Sequence, residues 1–356
     1  ERDRFPLSSA QWRLWFLDQM EASAGVHNVY AAYRLRGSLD EPRLLQAFTA
    51  LARRHEILRT VFVSADDEPW QFVLAEPRVD WASERLPSAE AAKAEITALA
   101  RYPFDLTAHP PWMVRIFQQG EDSLLVLVFH HTLTDGGSIP VILREVSEFY
   151  AKVAGPMRAD ETVLQYGDYA NWQSVQQRST AYQSGLEFWT AELAGELPVL
   201  DFPSFESRPA RQSFAGRTAS LRLAGSRLEN VKRYAAGQGI SLYNLLLAAY
   251  AATLLRYCRQ SELVVGTPVG DTRYLTGAEN SIGPYLNTVA LRLRPDPLWS
   301  FRELGDYVRQ KTAAASEWSE VPFEAVIARL DLPRDISRTP VFQTLFAFRR
   351  AEEDRL

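Results

Sequence analysis

Two hydrophobic patterns alternate along the chain: short apolar runs typical of strands, and apolar faces repeated at helical spacing. Asp40 is a predicted helix N-cap, with Pro42 in the first turn and apolar side chains from Leu44 to Ala52 on one face. The other elements predicted in this half are strands at residues 29–36, 71–74, 112–118 and 123–129 and a helix at 139–152. The first half is therefore predicted to be a mixed α/β structure.

The second half repeats this style. Strands are predicted at residues 218–223, 263–265, 288–293 and 341–348, and helices at 228–236, 242–257 and 301–318. Residues 198–217 are rich in Pro, Ser and charge, which favours a linker or crossover. We therefore predict an α/β protein with two lobes of similar make-up, residues 1–180 and residues 181–356.

One strand leads into a cluster of polar residues. Residues 124–129 are continuously apolar, as in a strand buried on both faces, and His130, His131, Asp135 and Gly136 follow at once. A loop leaving a buried strand is a rigid place from which a side chain can meet a substrate. An imidazole there can accept or position a proton near neutral pH. The run predicts acid–base chemistry or the orientation of a nucleophile.

Simpler interpretations of the same run remain open at this point. A buried histidine–aspartate pair also occurs as a satisfied polar network in a core. His131 and Asp135 are two possible metal ligands, but no third ligand stands at a useful spacing. The glycine pair after Asp135 is also typical of an ordinary turn.

Composition narrows the functional class. The 356 residues are 46% hydrophobic and 23% charged, which is typical of a globular protein. A chain of this length is too long for one ordinary core. The net charge is −5 and no basic tract stands out, so nucleic acid is not expected as a partner. Cys258 is the one cysteine, which fits a reducing cytoplasm. The apolar run from Leu245 to Leu255 is too short to span a membrane, and no membrane association is expected.

Seven segments together resemble the condensation domains of non-ribosomal peptide synthetases. In chain order the segments are residues 9–15, 54–62, 130–136, 166–172, 282–288, 321–324 and 334–340, and the third is the HHxxxDG signature. The fifth has Pro-Tyr-Leu where Phe-Val is commoner, and the sixth is preceded by Trp318-Ser319-Glu320 instead of the usual polar residues. The signature alone also occurs in other acyltransferases of the chloramphenicol-acetyltransferase fold.

The resemblance implies a fold and a reaction. It implies two chloramphenicol-acetyltransferase-like lobes that form a V-shaped pseudo-dimer with a central tunnel. The implied reaction is amide-bond formation between a donor acyl or peptidyl thioester and an acceptor aminoacyl thioester, as in antibiotic or siderophore biosynthesis. Family members continue past the seventh segment, so the C-terminal lobe is expected to be truncated at Leu356, and a start at Glu1 instead of Met suggests a piece of a longer protein.

The resemblance also implies partners. These are upstream donor and downstream acceptor carrier domains and an adjacent adenylation domain. The carriers supply 4'-phosphopantetheine, and no metal or other cofactor is intrinsic to the domain. The excised domain is expected to be a monomer.

Roles at the signature follow from the resemblance. His131 is the expected catalytic residue: it either takes the proton of the attacking amine or hydrogen-bonds the amine or tetrahedral intermediate. Gly136 is expected to keep the tunnel open and to offer its N–H to the developing oxyanion. His130 is expected to point back into the fold, and Asp135 to form a structural pair with Arg59.

Three further residues are candidates for the tunnel wall. Ser138 is a weaker candidate for stabilising the oxyanion, and its other interpretation is a helix N-cap. Asn287 and Thr288 fall in the fifth segment, which in the family lies near the tunnel. Their other interpretation is a capped strand start.

Other functions stay open. A stand-alone acyltransferase of the same superfamily is disfavoured by the first two segments. A catalytically inactive relative that recruits tailoring enzymes would normally carry a broken signature, whereas His131, Asp135 and Gly136 are intact. A heterocyclising relative would carry aspartates at the two positions where His130 and Asp135 frame the signature. An epimerising relative would carry different flanking segments.

Overall fold

The chain forms two compact units in a computed structural model. The structure describes residues 4–20, 25–65, 68–152, 163–203, 209–210, 216–271, 277–333, 335 and 337–348. The first unit contains the described residues up to Ser179 together with the segment Asp271–Leu286, and the second contains Thr180–Gly270 and Asn287–Arg350. This division differs from the linear boundary near residue 180, because the chain returns to the first unit for the segment at 271–286.

The described residues of the first unit form two sheets and five α-helices. Its strands are β1 (Arg4–Pro6), β2 (Asn28–Leu35), β3 (Thr60–Ala65), β4 (Glu68–Val73), β5 (Asp80–Arg85), β6 (Trp112–Gln119) and β7 (Asp122–His130). Its helices are α1 (Ser9–Met20), α2 (Glu41–Arg54), α3 (Ala89–Leu99), α4 (Ser138–Ala151) and α5 (Tyr166–Gln176), with a 3-10 turn at Glu56–Arg59. The strand orders are β1-β4-β3 and β2-β7-β6-β5, with β5 parallel to β6 and the other pairs antiparallel.

Strand β7 lies inside the larger sheet between β2 and β6. Its last six residues are all buried, which explains why it reads as an uninterrupted apolar run. Helices α2 and α4 pack together and contribute apolar side chains to the same core. The side chain of Asp40 accepts a hydrogen bond from the N–H of Arg43 (3.1 Å), so the predicted N-cap of α2 is confirmed.

The second unit is built around a two-stranded sheet. Its elements are α6 (Thr180–Glu192), α7 (Ser226–Gln238), α8 (Leu242–Tyr257), β8 (Leu263–Asp271), β9 (Leu286–Leu293), α9 (Phe301–Glu317) and α10 (Phe323–Leu330). The buried residues of α8, β8, β9 and α9 share one core. Helix α9 begins with a capping box in which Ser300 and Glu303 bind each other's backbone N–H groups. In the described part of the chain no single helix is long and apolar enough to cross a membrane; only α7 and α8 together, bent by 102°, pass that test.

Most predicted elements are present, and two in the second half are wrong or reduced. Residues 218–223 form no strand, and Leu221 is 98% exposed. Residues 341–348 form one parallel bridge, between Gly266 and Leu345, instead of a full strand. The described residues of the predicted linker, at 198–203, 209–210 and 216–217, contain neither helix nor strand. The mixed α/β class is confirmed.

Candidate active site

The histidine pair stands where β7 ends. His130 is the last residue of the strand and pairs with Asn28 of β2 across the ladder. His131 is the first residue beyond it, and its backbone N–H donates to the carbonyl of His27 (2.8 Å). The strand end therefore fixes the backbone on which both imidazoles stand.

The two imidazoles have different surroundings. His130 is 2% exposed, and its Nδ1 lies 2.9 Å from the hydroxyl of Thr132, whose backbone N–H also points to Nδ1 (3.4 Å). His131 is partly exposed, and its Nδ1 is buried without a hydrogen-bond partner among the described residues. His130 is thus tied into the fold, as expected, while the imidazole of His131 keeps hydrogen-bonding capacity.

Charge is disfavoured on His130. Burial, and then the nearby imidazoles of His27 and His131, lower the pKa of His130 to about 3. Nδ1 accepts from Thr132, so the proton of the neutral ring is on Nε2, which faces the Asp18 carboxylate at 3.7 Å. Burial, and then Asp105, raise the pKa of Asp18.

Asp135 is the most fully bonded side chain of the loop. It is completely buried, and its Oδ1 accepts from the backbone N–H of Ser138 (3.0 Å) and from the Ser138 hydroxyl (3.0 Å). Its Oδ2 accepts from the backbone N–H groups of Tyr285 (2.9 Å) and Leu286 (3.1 Å). One carboxylate thus joins the loop, the start of α4 and the segment that returns from later in the chain.

The predicted pair between Asp135 and Arg59 is corrected by these contacts. Arg59 donates to the carbonyl of Leu74 (2.5 Å) and lies 3.4 Å from the carboxylate of Glu56. The described donors to the Asp135 carboxylate include the backbone N–H groups of Ser138, Tyr285 and Leu286. Arg59 therefore holds its own turn and the strand end beside it.

Ser138 also differs from its predicted role. Gly137 occupies the N-cap position of α4, and Ser138 is the first helical residue. The Ser138 hydroxyl is buried, lies 3.0 Å from both Asp135 Oδ1 and the carbonyl of Gly283, and accepts from the N–H of Gly283 (3.1 Å). It serves as an internal tie, which leaves it unsuited to meet a substrate. Gly136, by contrast, is partly exposed.

Close packing explains two other residues of the motif segments. A Cβ on Gly283 would lie 2.0 Å from the ring of Tyr166. The Tyr166 hydroxyl donates to the carbonyl of Pro284 (3.0 Å) and lies 2.7 Å from the hydroxyl of Ser8. The ring of Tyr166 meets the ring of Tyr285 edge-on, with centroids 4.9 Å apart. Only glycine at position 283 lets the segment lie this close to α5.

Helix α1 holds the loop from another side. The amide of Gln11 donates to the carbonyl of Thr132 (3.2 Å) and to Gln71 (2.9 Å), and accepts from the N–H of Ser8 (3.0 Å). The second motif segment contributes a buried contact between His55 and Glu145 of α4 (2.8 Å). These residues help to hold the loop in place from other segments of the chain.

Asn287 and Thr288 lie in the second unit. The Asn287 amide donates to the carbonyls of Ser319 and Val321 (2.7 Å each) and accepts from the N–H groups of Thr288 (2.9 Å) and Phe323 (3.3 Å). Its hydrogen-bonding capacity is used within the unit, so Asn287 is a structural clamp instead of a tunnel-wall donor. Thr288 is half-buried at the start of β9.

Sequence reasoning missed Gln11, Asp18, Gly283 and, above all, His27. Gln11 and Gly283 stand in segments that already carried the resemblance. His27 belongs to none of the seven motif segments, yet it precedes β2 in the way that His131 follows β7. Antiparallel pairing of these two predicted strands was the signal that would have placed them together. Among the described residues no group of three or more His, Cys, Asp or Glu side chains is arranged to hold a metal ion.

Comparisons with known proteins identify the family of the chain. A family model described as Condensation domain matches residues 1–354. Tyrocidine synthase 3 of Brevibacillus parabrevis is 36% identical over 349 residues, covering 98% of this chain and 5% of that protein. Gramicidin S synthase 2 of Brevibacillus brevis is 33% identical over 354 residues, covering 99% of this chain and 8% of that protein. The chain thus spans a small fraction of these curated relatives.

Solved structures resemble the chain over most of its length. The X-domain from teicoplanin biosynthesis has a TM-score of 0.87 at 29% identity, covering 97% of this chain and 77% of that one. The condensation domain of the Monacolin K polyketide synthase MokA has a TM-score of 0.86 at 24% identity, covering 96% and 80%, which is a similarity of fold. From the family match and these relatives, the chain belongs to the Condensation domain family of non-ribosomal peptide synthetases.

Proposed function

We propose that this chain joins two carrier-bound substrates through an amide bond. The amine of an acceptor aminoacyl thioester attacks the carbonyl carbon of a donor acyl or peptidyl thioester. A C–N bond forms, the donor C–S bond breaks, and the donor pantetheine leaves as a thiol that takes up the proton lost by the amine. The observation that carries this proposal is the partly exposed imidazole of His131, set at the end of a buried strand with a nitrogen that no described residue binds.

His131 has two possible parts in this step. As a general base it takes the proton of the attacking amine, a role typically worth about 10²–10⁴ in rate. As a hydrogen-bonding group it orients the amine or stabilises the tetrahedral intermediate. Both parts require an imidazole held at the reaction centre, and the hydrogen bond from the His131 N–H to the His27 carbonyl, which fixes its backbone, supports that role.

Proximity supplies much of the remaining rate. Two tethered reactants held in line react at a high effective molarity, so the domain needs few catalytic groups. Gly136 is the proposed N–H donor to the oxyanion, and its partial exposure supports that role. The proposed partners are donor and acceptor carrier domains that bring 4'-phosphopantetheine, beside an adenylation domain.

Recruitment of a tailoring enzyme is the second candidate. It is favoured by the similarity to the teicoplanin X-domain, which is also known from a complex with OxyB. The intact signature supports condensation instead, because a domain used only for docking needs neither an imidazole with spare hydrogen-bonding capacity nor Gly136 beside it. A free-standing acyltransferase receives less support, because the chain matches peptide synthases over 98–99% of its length.

A reconstituted condensation assay tests the proposal. The donor carrier is loaded with an acyl group, the acceptor carrier with an amino acid, and the acceptor-bound product is identified by mass spectrometry. Reactions lacking either loaded carrier measure uncatalysed transfer, and a His109→Ala variant is the matched control, since His109 is exposed. We expect amide on the acceptor carrier with the wild type and the control.

The alternative outcome is equally definite. If a folded chain binds both loaded carriers and forms no amide above the uncatalysed rate, the condensation proposal is wrong. Binding of a tailoring enzyme by that same chain would then favour recruitment.

A further inference from the structure

His27 lies opposite His131 at the end of the antiparallel ladder. Strands β2 and β7 pair Asn28 with His130, and the hydrogen bond from the His131 N–H to the His27 carbonyl continues the ladder by one position. Directly opposite positions in an antiparallel pair have Cβ atoms about 4.5–5.5 Å apart. The backbone thus brings two imidazoles together, although His27 and His131 are 104 positions apart in the sequence.

Three buried imidazole nitrogens in this cluster have no hydrogen-bond partner among the described residues. They are Nε2 of His27, Nε2 of His130 and Nδ1 of His131. The rings of His27 and His130 meet edge-on with centroids 6.3 Å apart. Buried polar atoms in folded proteins are almost always satisfied, by protein or by ordered water.

The charge state of the cluster is set by its neighbours. Burial, and then the Arg13 guanidinium and His131, lower the pKa of His27, and His130 is also held neutral. Asp18 is the carboxylate that faces the cluster, 3.7 Å from Nε2 of His130. A neutral imidazole has one nitrogen that donates and one that accepts.

These roles fit together in one arrangement. His130 accepts at Nδ1 from Thr132, so its Nε2 donates. A water between the three nitrogens can accept from His130 Nε2 and from His131 Nδ1 and donate to His27 Nε2. Three partners is the usual number for a buried water.

We propose that His27 is a positioning residue for His131. Through one shared water it holds His131 as the neutral tautomer with its proton on Nδ1, so that the lone pair of Nε2 faces the substrate amine. The inference rests on the proposed condensation activity for its consequence, but the tautomer itself is a property of the free protein. His27 does not touch the substrate in this arrangement.

The remaining histidines are engaged or remote, which makes His27 the candidate. His55 is bound to Glu145 at 2.8 Å. His109 is exposed and belongs to a different loop. A hydrogen bond to one ring nitrogen of a histidine determines which nitrogen carries the proton. It therefore determines whether the other nitrogen donates or accepts.

Nitrogen-15 NMR of the imidazoles tests the tautomer without any substrate. The whole 356-residue chain is labelled at histidine, and with five histidines the His131 signals are assigned by their loss in His131→Gln. We expect His131 to carry its proton on Nδ1 in the wild type, whereas free neutral histidine in water prefers Nε2. We expect His27→Phe, which keeps a ring of similar size, to shift His131 toward the Nε2 tautomer.

Kinetics give the functional consequence. We expect kcat of condensation to fall about 10- to 100-fold in His27→Phe with KM unchanged, the loss typical of groups that orient a functional histidine. His27→Gln keeps a polar atom near the position of Nε2 and is expected to recover part of the rate. His109→Phe is the matched control and is expected to retain the wild-type rate.

Two results would overturn the inference. One is the finding that His131 of the wild type carries its proton on Nε2. This measurement needs no variant, so it remains decisive even if His27→Phe fails to fold. The other is a folded His27→Phe with an unchanged His131 tautomer and an unchanged kcat. If the wild type shows the Nδ1 tautomer, His27→Phe loses it and no amide forms, the condensation proposal fails while the role of His27 in orienting His131 stands.

Discussion

The two ends of the loop between β7 and α4 are built in opposite ways. At the far end, Asp135 and Ser138 direct their side-chain oxygens to hydrogen-bonding groups of the loop, of α4 and of the segment at 283–286. At the near end, buried imidazole nitrogens of His27, His130 and His131 have no partner among the described residues. Both ends are polar, but the oxygens of Asp135 and Ser138 are bonded by the protein, whereas these three imidazole nitrogens are not bonded by any described residue.

This difference separates the residues that hold the loop from those that remain available for chemistry. A satisfied buried carboxylate stabilises one backbone arrangement, and its loss leaves several donors without acceptors. A histidine with spare capacity contributes little to folding, but it can bind water or substrate. The signature HHxxxDG therefore combines a structural end with an end to which we assign the proposed chemistry.

The largest expected effect on stability is at the structural end. Asp135→Ala leaves the N–H groups of Ser138, Tyr285 and Leu286 without their acceptor, and we expect a loss of about 3–5 kcal/mol in the free energy of unfolding. Urea denaturation of both proteins measures it. Asp168→Ala, an exposed position in the first turn of α5, is the control and should change stability by less than about 1 kcal/mol. Equal losses in the two variants would show that Asp135 does not hold the loop.

The next effect concerns the returning segment. Gly283→Ala would place a Cβ 2.0 Å from the Tyr166 ring, and we expect the resulting overpacking to cost about 1–3 kcal/mol. Gly237→Ala is the matched substitution in α7, where a Cβ meets nothing within 4 Å, and it should stabilise the protein by up to about 1 kcal/mol. Thermal melts of the pair compare them. A Gly283→Ala protein as stable as the wild type would mean that the segment does not pack on Tyr166.

A pH dependence is expected from the chemical end. The pKa of His130 in the folded protein, about 3, lies below its ordinary value of 6.5, so the unfolded chain binds the extra proton between these pH values. The stability contributed by neutral His130 is therefore present above pH 6.5 and falls by up to about 1.4 kcal/mol per pH unit as the pH drops toward 3. His130→Asn, which keeps an acceptor for Thr132, should lose less stability between pH 7 and pH 5 than the wild type. Parallel losses in urea denaturation at the two pH values would contradict this.

Local patterns predicted the fold well where a local cause determined the structure. The Asp40 cap, the buried strand β7 and helix α8 each depend on neighbouring residues, and all three are confirmed. The leucines at residues 218–223 alternate as in a strand, but alternation needs a sheet to cover it, and Leu221 is almost fully exposed. A pattern that depends on a distant partner is not determined by its own residues.

The same limit applies to the site. The sequence predicted the position of His131 at the strand end and the buried character of His130, because a strand end and alternating faces are local features. The resemblance suggested Arg59 as the partner of Asp135, whereas Arg59 binds Leu74 and Glu56, and Asp135 accepts from backbone N–H groups near residue 285, which residue type cannot reveal. The contact with His27 required the register of β2 against β7.

The most direct test of the account is a single-turnover measurement of amide formation by His131→Ala beside its free energy of unfolding. The account predicts a rate of amide formation about 10²- to 10⁴-fold lower than that of the wild type. It also predicts a free energy of unfolding within about 0.5 kcal/mol of wild type, because His131 is partly exposed and its side chain ties down nothing in the described structure. An unchanged rate in the folded variant would contradict the assignment of chemistry to this end of the loop. A loss of stability as large as that of Asp135→Ala would contradict the contrast between the two ends.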